Sequence, residues 1–391
     1  MIRLHILDSR CGGYFRHAPP YMHEKILSLS SQITGDSFHW YPIFLNRYYL
    51  SELGMRFDFY SEISDELFDC DILLLSSHHF DIERKDHQER LRILAQLKEM
   101  RSRGCKIAWF DMRDSTGNTQ FEVLPYVDKY LKKQYLKDKN LYRQRLYANR
   151  IFSDYFHQRF GVSDSYHEEN IPLPVGAESK LELSWNLGLS DRRTGGYLER
   201  VGYLLTDLLE RVRNVDHRVR WTNPIINRDV NLVALFHTNY RRKTVAFQRI
   251  RALDILATMH LESSVIGGKN FSRRNYLKLL ERSKIVLSLF GWGELCFREF
   301  EAFMAGACVM MPDVSHLSTW PDIYIPKQTY WPLRWDLEDL EESIDVLLSN
   351  EHDRLELAQF GQEIYRQQFS RNGREIFSQR LKNIINDILG N

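Results

Sequence analysis

The sequence predicts an α/β protein of two halves, each built around a parallel sheet. Short apolar runs alternate with longer helical patterns up to Asp111, and a second series of the same kind begins at Asn231. Strands that alternate with helices favour right-handed crossovers and parallel pairing. The chain has 391 residues, which suggests two domains. Open parallel sheets bind ligands at the carboxyl ends of their strands, so we expect a central cleft between the halves.

In the first half, continuous apolar runs predict strands and periodic stretches predict helices. DILLLSS (71–77) is apolar almost throughout, as expected for a strand covered on both faces. The other predicted strands are RLHILD (3–8), RFDFY (56–60) and CKIAWFD (105–111). The predicted helices cover 44–54 and about 83–103, and they end at Gly54 and Gly104, which suit a helix C-terminus.

Residues 125–225 look more helical and are rich in Tyr, Lys and Arg, above all in YVDKYLKKQYLKDKNLYRQRLYANR (126–150). We interpret this stretch as a solvated helix surface that covers the sheet. A second interpretation stays open, in which it forms a basic patch for an anionic acceptor or a membrane surface.

The second half repeats the alternation of strands and helices. Its predicted strands are 231–237, 263–268, 284–290 and 308–313. Its predicted helices are 243–257, 273–283, the stretch after Gly293, 336–350, 352–368 and 372–389. We place an N-terminal Rossmann-like domain at 1–225 and a second Rossmann-like domain at 226–370. A C-terminal helix at 371–391 would pack back on the first domain.

Composition excludes several classes of protein. Hydrophobic residues make up 43% and charged residues 27%, which is typical of a folded chain. The net charge is +1, so the molecule is not a polycation for nucleic acid. The five cysteines are scattered without CxxC pairs, which argues against a disulfide framework and a structural zinc site. With no signal peptide or membrane span in the sequence, we expect a cytoplasmic protein, with peripheral contact at the inner face of the membrane as an option.

A basic loop follows the strand at 231–237. It contains Arg241, Arg242 and Lys243, and the next helix begins at about Thr244. Three cations beside a helix N-terminus suit a diphosphate, because backbone N–H groups and the helix dipole add to the side-chain charge. The sequence therefore predicts a diphosphate site in this loop.

The stretch FGWGELCFREFEAFMAGACVMMPD (290–313) joins two predicted strands. Gly291 and Gly293 allow a sharp turn and a close approach of ligand. Glu294, Arg298 and Glu301 fall at spacings of four and three, so we predict that one helix carries all three. Carboxylates at this edge could accept hydrogen bonds from sugar or ribose hydroxyls, and Arg298 could face the leaving phosphate, although Arg298 and Glu301 could also form a simple ion pair within the helix.

From about 231 to 370 the chain resembles the nucleotide-binding domain of GT-B glycosyltransferases, specifically the glycosyl transferases group 1 type and its CgeB-like or spore-coat-like relatives. The resemblance depends on the basic loop, on G-W-G-E, on R-E-F-E-A-F-M-A-G-A and on FSRNGREIF, which begins at Phe369. It implies that the basic loop binds the donor diphosphate and that Glu301 binds the donor ribose.

One departure from the family concerns stereochemistry. Retaining members usually have another glutamate eight positions before the ribose-binding one, which is Gly293 here, and Glu294 follows it. We assign the catalytic role to Glu294 and favour retention over inversion. If the reaction inverts, Asp111 or Asp114 could deprotonate the acceptor hydroxyl.

Further candidates in the first half follow predicted strands. His78 and His79 could serve as a base or a sugar ligand, although a lone histidine is more often structural. Gly12 and Gly13 could make room for the donor phosphates or the acceptor, or form an ordinary turn. Asp114 could instead cap a helix.

The predicted function is transfer of a sugar from a nucleotide diphosphate sugar to a hydroxyl of a glycan or glycolipid, in surface polysaccharide or glycoconjugate biosynthesis. The alternatives are a nucleotide-sugar epimerase of the same fold and a non-catalytic sugar-nucleotide or glycan-binding protein. We expect no nucleic-acid partner. We also expect no obligatory metal or cofactor, because the basic loop would neutralise the diphosphate.

Overall fold

A computed structural model describes residues 1–9, 37–40, 42–43, 46–167, 169–189, 220–268 and 271–390. Gly12 and Gly13 lie outside the described residues, and so does part of the region 125–225.

A six-stranded parallel sheet forms the core of the first half, in the order β2-β1-β3-β4-β5-β7. Its strands are β1 Ile2–Leu7, β2 Met55–Tyr60, β3 Ile72–Ser76, β4 Lys106–Asp111, β5 Lys129–Lys132 and β7 Leu181–Leu183. A short strand β6, Gln134–Leu136, lies outside this sheet. Every residue of β3 is buried, as the apolar run predicts.

The helices of the first half are α1 Arg47–Glu52, α2 Ser77–Phe80, α3 His87–Ser102 and α4 Ile151–Phe160. The side chain of Asp86 caps α3 by accepting a hydrogen bond from the amide of Glu89 at 2.8 Å. Helix α4 ends at Gly161, which adopts a left-handed conformation with φ of 66°.

A five-stranded parallel sheet forms the core of the second half, in the order β13-β11-β10-β8-β9. Its strands are β8 Val230–Ala234, β9 Val265–Ile266, β10 Ser283–Leu287, β11 Cys308–Pro312 and β13 Trp331–Leu333. The helices are α5 Lys243–Thr258, α6 Arg273–Glu281, α7 Phe297–Ala305, α8 Leu340–Ser349, α9 Glu351–Gln367 and α10 Arg371–Leu389. Two parallel sheets in series confirm the predicted α/β class and its GT-B arrangement.

The helix predicted after Gly293 is α7, and it begins later than predicted. Because α7 starts at Phe297, Glu294 lies in the preceding loop and the prediction that one helix carries all three charged residues is wrong for Glu294. Glu299 closes the first turn by accepting a hydrogen bond from the amide of Cys296 at 2.8 Å, which fixes the start of the helix at that point.

The prediction of a solvated helix at 126–150 is wrong. This stretch supplies β5, β6 and short 3-10 turns. Lys132, at the end of β5, is completely buried and pairs with Asp111 at 2.8 Å. The local sequence pattern suggests an exposed lysine, because it does not show the partner of Lys132. That partner, Asp111, lies on the neighbouring strand β4, 21 residues away along the chain.

Several elements join the two halves. A strand of the second half, β12 (Leu317–Thr319), pairs antiparallel with β6 of the first. Aromatic rings of α4 pack on the second half, with ring centroids of Phe152 and Phe290 5.1 Å apart. Helix α10 places Phe377, Leu381 and neighbouring residues in a hydrophobic cluster with β1, β3 and β4. Among the helices of the described residues, none is long and apolar enough to cross a membrane.

The buried ion pair yields a test of the fold. Lys132→Met keeps the apolar stem but leaves the Asp111 carboxylate buried without its cation. We expect the free energy of unfolding to fall by about 3–5 kcal/mol, as in other proteins that lose one partner of a buried pair. Urea denaturation measures the change. The matched control is Lys139→Met at an exposed position, and equal stability of the two variants would contradict the role of the pair.

Candidate active site

A cavity of about 590 Å³ lies between the halves, at the carboxyl ends of both sheets. Residues after β3, β4 and β5 form one wall, and residues after β8 and β10 form the other. The lining consists of His39, His78, Asp81, Glu83, Arg84, Met112, Arg113, Asp114, Asn118, Lys133, Arg150, Tyr166, Leu187, Arg241, Arg242, Trp292 and Phe297. The cavity therefore occupies the place where the sequence predicts a ligand.

One end of the cavity is cationic. Arg241 and Arg242 line it from the second half, and Arg150 joins them from the first. Arg150 is 5% exposed and donates hydrogen bonds to the carbonyl oxygens of Trp292, at 3.0 Å, and Ala148, at 2.9 Å. Burial lowers the pKa of Arg150 to about 10, with a contribution from the charge of Arg242. The guanidinium group of arginine carries a positive charge in proteins, so three arginines placed together attract anions.

The third residue of the predicted basic loop is placed differently. Lys243 is the first residue of α5 and is exposed, and the described lining of the cavity does not include it. At the start of the same helix, Asp164 of the first half accepts hydrogen bonds from the amide of Thr244, at 2.9 Å, and from its hydroxyl, at 2.8 Å. A carboxylate already occupies part of the helix N-terminus at which we predicted a phosphate.

Arg298 lies on the first turn of α7 and follows Phe297, a residue of the cavity wall, but the described lining of the cavity does not include Arg298. Its Nε and Nη1 are buried, and within the described residues neither atom has a hydrogen-bond partner. Burial alone lowers the pKa of Arg298, but Cys296, Tyr276, Glu299 and Glu301 outweigh it and the net shift is upward. A charged guanidinium with buried, unused donors is an uncommon arrangement outside a ligand site.

Glu301 is held from α6. Its carboxylate accepts hydrogen bonds from Arg273 Nη1 at 2.7 Å and from the Tyr276 hydroxyl at 2.9 Å, and the residue is 5% exposed. No hydrogen bond or ion pair joins Arg298 to Glu301 among the described contacts. The alternative of a simple ion pair between these two residues within the helix is therefore not supported. These two partners fix the orientation of Glu301.

Glu299 is a buried residue that the sequence reasoning missed. It is 1% exposed and accepts hydrogen bonds from the hydroxyl of Ser288 and, at 3.2 Å, from the thiol of Cys296. Burial raises the pKa of Glu299, although these hydrogen bonds and Arg298 oppose the shift. Its position three residues after the N-cap is the signal that could have identified it as a helix-capping residue.

Glu294 contacts the first half of the chain. It is 2% exposed and accepts hydrogen bonds from the amide of Thr116 at 2.9 Å, from Gln134 Nε2 at 3.3 Å and from the Ser115 hydroxyl at 3.3 Å. The carboxylate joins the loop after β10 to the loop after β4. Its predicted catalytic role stays a prediction. In this structure the hydrogen bonds of Glu294 connect the two halves of the chain.

Gly293 serves the same junction. A Cβ atom built at this residue would overlap the backbone carbonyl of Asp114. The glycine therefore permits a close approach between two loops of the protein, whereas the sequence analysis expected an approach of ligand. Gly291 in turn leaves room for the guanidinium of Arg249.

The two aspartates of the first half differ in exposure. Asp111 is 1% exposed and is engaged by Lys132 and by the Tyr130 hydroxyl at 2.6 Å, so it is poorly placed to meet an acceptor. The Asp114 side chain is 55% exposed, lines the cavity and pairs with Lys133 at 2.9 Å. Desolvation raises the pKa of Asp114, but Lys133 outweighs it and the net shift is downward, so the carboxylate is ionised at neutral pH.

The histidines also separate. His78 lines the cavity, whereas the described lining does not include His79. Burial lowers the pKa of His79, and its Nδ1 is buried with no hydrogen-bond partner in the described part of the chain. His39 is a cavity residue that the sequence reasoning missed, because it follows no predicted strand.

A known protein family matches part of the chain. Residues 245–377 match the family described as "Glycosyl transferase-like", which is about a third of the 391 residues. The matched segment contains α7 with Arg298 and Glu301, and it begins just after the basic loop.

Solved glycosyltransferase structures resemble the whole chain at low identity. A glycosyltransferase from Rickettsia africae ESF-5 is 13% identical with a TM-score of 0.42, and the match covers 100% of this chain and 98% of that one. An alpha-glucosyltransferase in complex with UDP and DNA containing an HMU base is 11% identical with a TM-score of 0.41, over 100% of both chains. Sucrose-phosphate synthase from Thermosynechococcus elongatus is 10% identical with a TM-score of 0.41, over 98% and 99%. A search of curated proteins finds no match.

The close contact between Gly293, which lies inside the matched segment 245–377, and Asp114 can be tested by mutation. Gly293→Ala forces a methyl group against the backbone of Asp114, and we expect the free energy of unfolding to fall by roughly 1–3 kcal/mol, as for other overpacked sites. The control is Gly268→Ala, where a Cβ meets its nearest neighbour at an ordinary 3.6 Å and we expect little change. Urea denaturation of both variants measures the difference. A Gly293→Ala protein as stable as the control would show that the loops are not tightly packed.

Proposed function

We propose that the protein is a glycosyltransferase that moves a sugar from a nucleotide diphosphate donor to a hydroxyl of a glycan or glycolipid. The observation that carries the proposal is Arg298, whose Nε and Nη1 are buried in the glycosyl transferase-like domain with no hydrogen-bond partner among the described residues. Leaving charged donors unpaired costs free energy, and a donor phosphate would remove that cost.

The donor diphosphate would lie between Arg298 and the cationic end of the cavity. Arg241 and Arg242 line this part of the cavity with Arg150. None of the three arginines forms an ion pair with a carboxylate among the described residues, so their positive charges are available to a ligand. When the sugar is transferred, negative charge develops on the leaving diphosphate. Fixed cations in a site shielded from water stabilise that charge and thereby lower the barrier. In this proposal the arginines take the place of a metal ion.

Glu301 would bind the donor ribose. Its carboxylate accepts one hydrogen bond at each oxygen, from Arg273 and Tyr276. Each oxygen of an ionised carboxylate can accept more than one, so capacity remains for ribose hydroxyls. The residues of α6 would then hold the carboxylate in a fixed orientation for the nucleoside.

The first half would bind the acceptor. Asp114 is the carboxylate that an acceptor hydroxyl could reach, because it is exposed in the cavity and ionised. It would act as the base if the reaction inverts configuration, in preference to the buried Asp111. A retaining reaction would instead need Glu294 to leave its contacts with Thr116 and Gln134. We further propose a role in surface polysaccharide or glycoconjugate synthesis at the cytoplasmic side of the membrane.

Donor binding gives the first test. Thermal-shift screening with UDP, GDP, ADP and CMP should identify one nucleotide that raises the melting temperature. Arg298→Ala should weaken its binding by about ten- to a hundred-fold, the equivalent of about 1.5–3 kcal/mol for a lost hydrogen bond to a charged group. The control is Arg371→Ala, at an exposed arginine of α10 that should leave affinity unchanged. Equal affinity of both variants would remove Arg298 from the donor site.

Turnover with nucleotide sugars separates the three candidate functions. A transferase releases nucleoside diphosphate and forms a new glycoside in the presence of an acceptor. An epimerase returns a changed donor sugar, and a binding protein returns the donor unchanged. Either of the last two outcomes, for every donor that the screen identifies, would contradict the proposed function.

A further inference from the structure

His39 lies in the wall of the cavity, and neither nitrogen of its ring has a hydrogen-bond partner among the described residues. It belongs to the 3-10 turn Ser37–Trp40 and is 5% exposed. Its ring stacks on Trp185, with centroids 4.8 Å apart and planes 15° from parallel. Trp40 and Phe110 pack against its edges at 5.5 and 5.9 Å. Aromatic contacts on several sides hold the ring in one orientation.

Both ring nitrogens of His39 are unsatisfied. Nδ1 and Nε2 are buried, and in the part of the chain that the structure describes neither forms a hydrogen bond. Buried polar atoms in folded proteins nearly always have a partner, and unsatisfied ones need an explanation. A site lined by this residue, in which a bound molecule supplies the missing partner, gives that explanation.

The imidazole is neutral. Burial lowers the pKa of His39 well below its ordinary value, and the nearby charges of Lys133 and His78 lower it further. A neutral imidazole has one nitrogen that donates a hydrogen bond and one that accepts. A hydroxyl group can satisfy either nitrogen, and two neighbouring sugar hydroxyls can satisfy both.

The wall around His39 is balanced in charge. Within the described lining, Arg84 faces Asp81 at 3.7 Å, Arg113 pairs with Glu83, and Lys133 pairs with Asp114 at 2.9 Å. Each of these cations has a carboxylate beside it, whereas Arg150, Arg241 and Arg242 form no ion pair among the described residues, although Glu83 and Asp114 also act on the charge of Arg150. A phosphate placed here would meet three carboxylates and would compete with existing ion pairs.

We propose that this end of the cavity binds an uncharged, hydroxyl-bearing sugar unit, and that His39 supplies hydrogen bonds to its hydroxyls. The inference rests on the proposed function only in calling this sugar the acceptor. It narrows the acceptor class from any glycan or glycolipid to one whose terminal unit is neutral at the site of binding. The anionic groups of the substrates are then confined to the donor.

Binding to His39 can be measured without turnover. The protein is labelled at its histidines for NMR, and the imidazole signals of His39 are assigned as those missing from His39→Phe. The probes are the methyl glycosides of glucose, galactose, mannose and N-acetylglucosamine, together with the 6-phosphates of the same sugars. We expect at least one neutral glycoside to shift the His39 signals saturably, and the corresponding 6-phosphate to bind at least tenfold more weakly.

Two variants separate hydrogen bonding from packing. His39→Phe keeps the aromatic stacking on Trp185 and removes both nitrogens, whereas His39→Gln keeps a donor and an acceptor and loses the ring. We expect a melting temperature close to that of the wild type for His39→Phe, with an affinity for the neutral glycoside at least tenfold lower. His39→Gln should retain more affinity than His39→Phe. If His39→Phe fails to fold, the affinity of His39→Gln for the neutral glycoside is compared with that of the wild type. We then expect His39→Gln to lose less than tenfold in affinity.

Three results would overturn the proposal: no probe shifts the His39 signals, the 6-phosphates bind more tightly than the neutral glycosides, or His39→Phe binds as well as the wild type. Failure of the proposed function would look different. In that case a neutral glycoside would bind at His39, but no nucleotide sugar would be turned over. The neutral sugar site would then belong to a binding protein.

Discussion

The contact between the loops after β10 and β4 fixes the position of one wall of the cleft relative to the other. Gly293 lets the backbone of Asp114 approach closely, and the carboxylate of Glu294 accepts a hydrogen bond from the amide of Thr116. Both loops leave the carboxyl ends of their sheets, so this contact sets the distance between the two walls of the cavity. Arg150 adds a second link by donating a hydrogen bond to the carbonyl oxygen of Trp292. Contacts within the protein hold the two walls in place, so the side chains of the cleft need little reorganisation on binding.

Charge is distributed unevenly along this preformed cleft. Three cations of the first half, Arg84, Arg113 and Lys133, pair with carboxylates, whereas Arg150, Arg241 and Arg242 form no ion pair among the described residues. With a net charge of only +1, the whole molecule does not attract anions strongly. A preference for a diphosphate would have to come from this local arrangement, strengthened by the burial of Arg150 and of the Nε and Nη1 atoms of Arg298.

Much of the fold could be predicted from the sequence, because buried parallel strands are continuous apolar runs that need no knowledge of their partners. The run at 71–77 and the repeated alternation after Asn231 predicted both sheets. Residues 126–150 could not be read this way, because Lys132 is buried only by virtue of Asp111 on another strand. At the candidate site, local motifs pointed to Arg241 and Arg242, which line the cavity, and to Arg298, whose role as a donor ligand stays a prediction. They did not identify His39, whose environment is made by Trp185, 146 residues away along the chain. Nor did they show that Glu294 would face the first half, since that depends on how the two halves pack.

The central claim is that the donor diphosphate binds to Arg298 in a cleft whose two walls are held together by the contacts of Gly293 and Glu294. A crystal structure with the nucleoside diphosphate that stabilises the protein most would test this claim directly. The account predicts phosphate oxygens within hydrogen-bond distance of Arg298 Nε or Nη1, close to Arg241 and Arg242, with Glu294 still bonded to the amide of Thr116. A diphosphate bound elsewhere, or bound only after Glu294 has left Thr116, would contradict it.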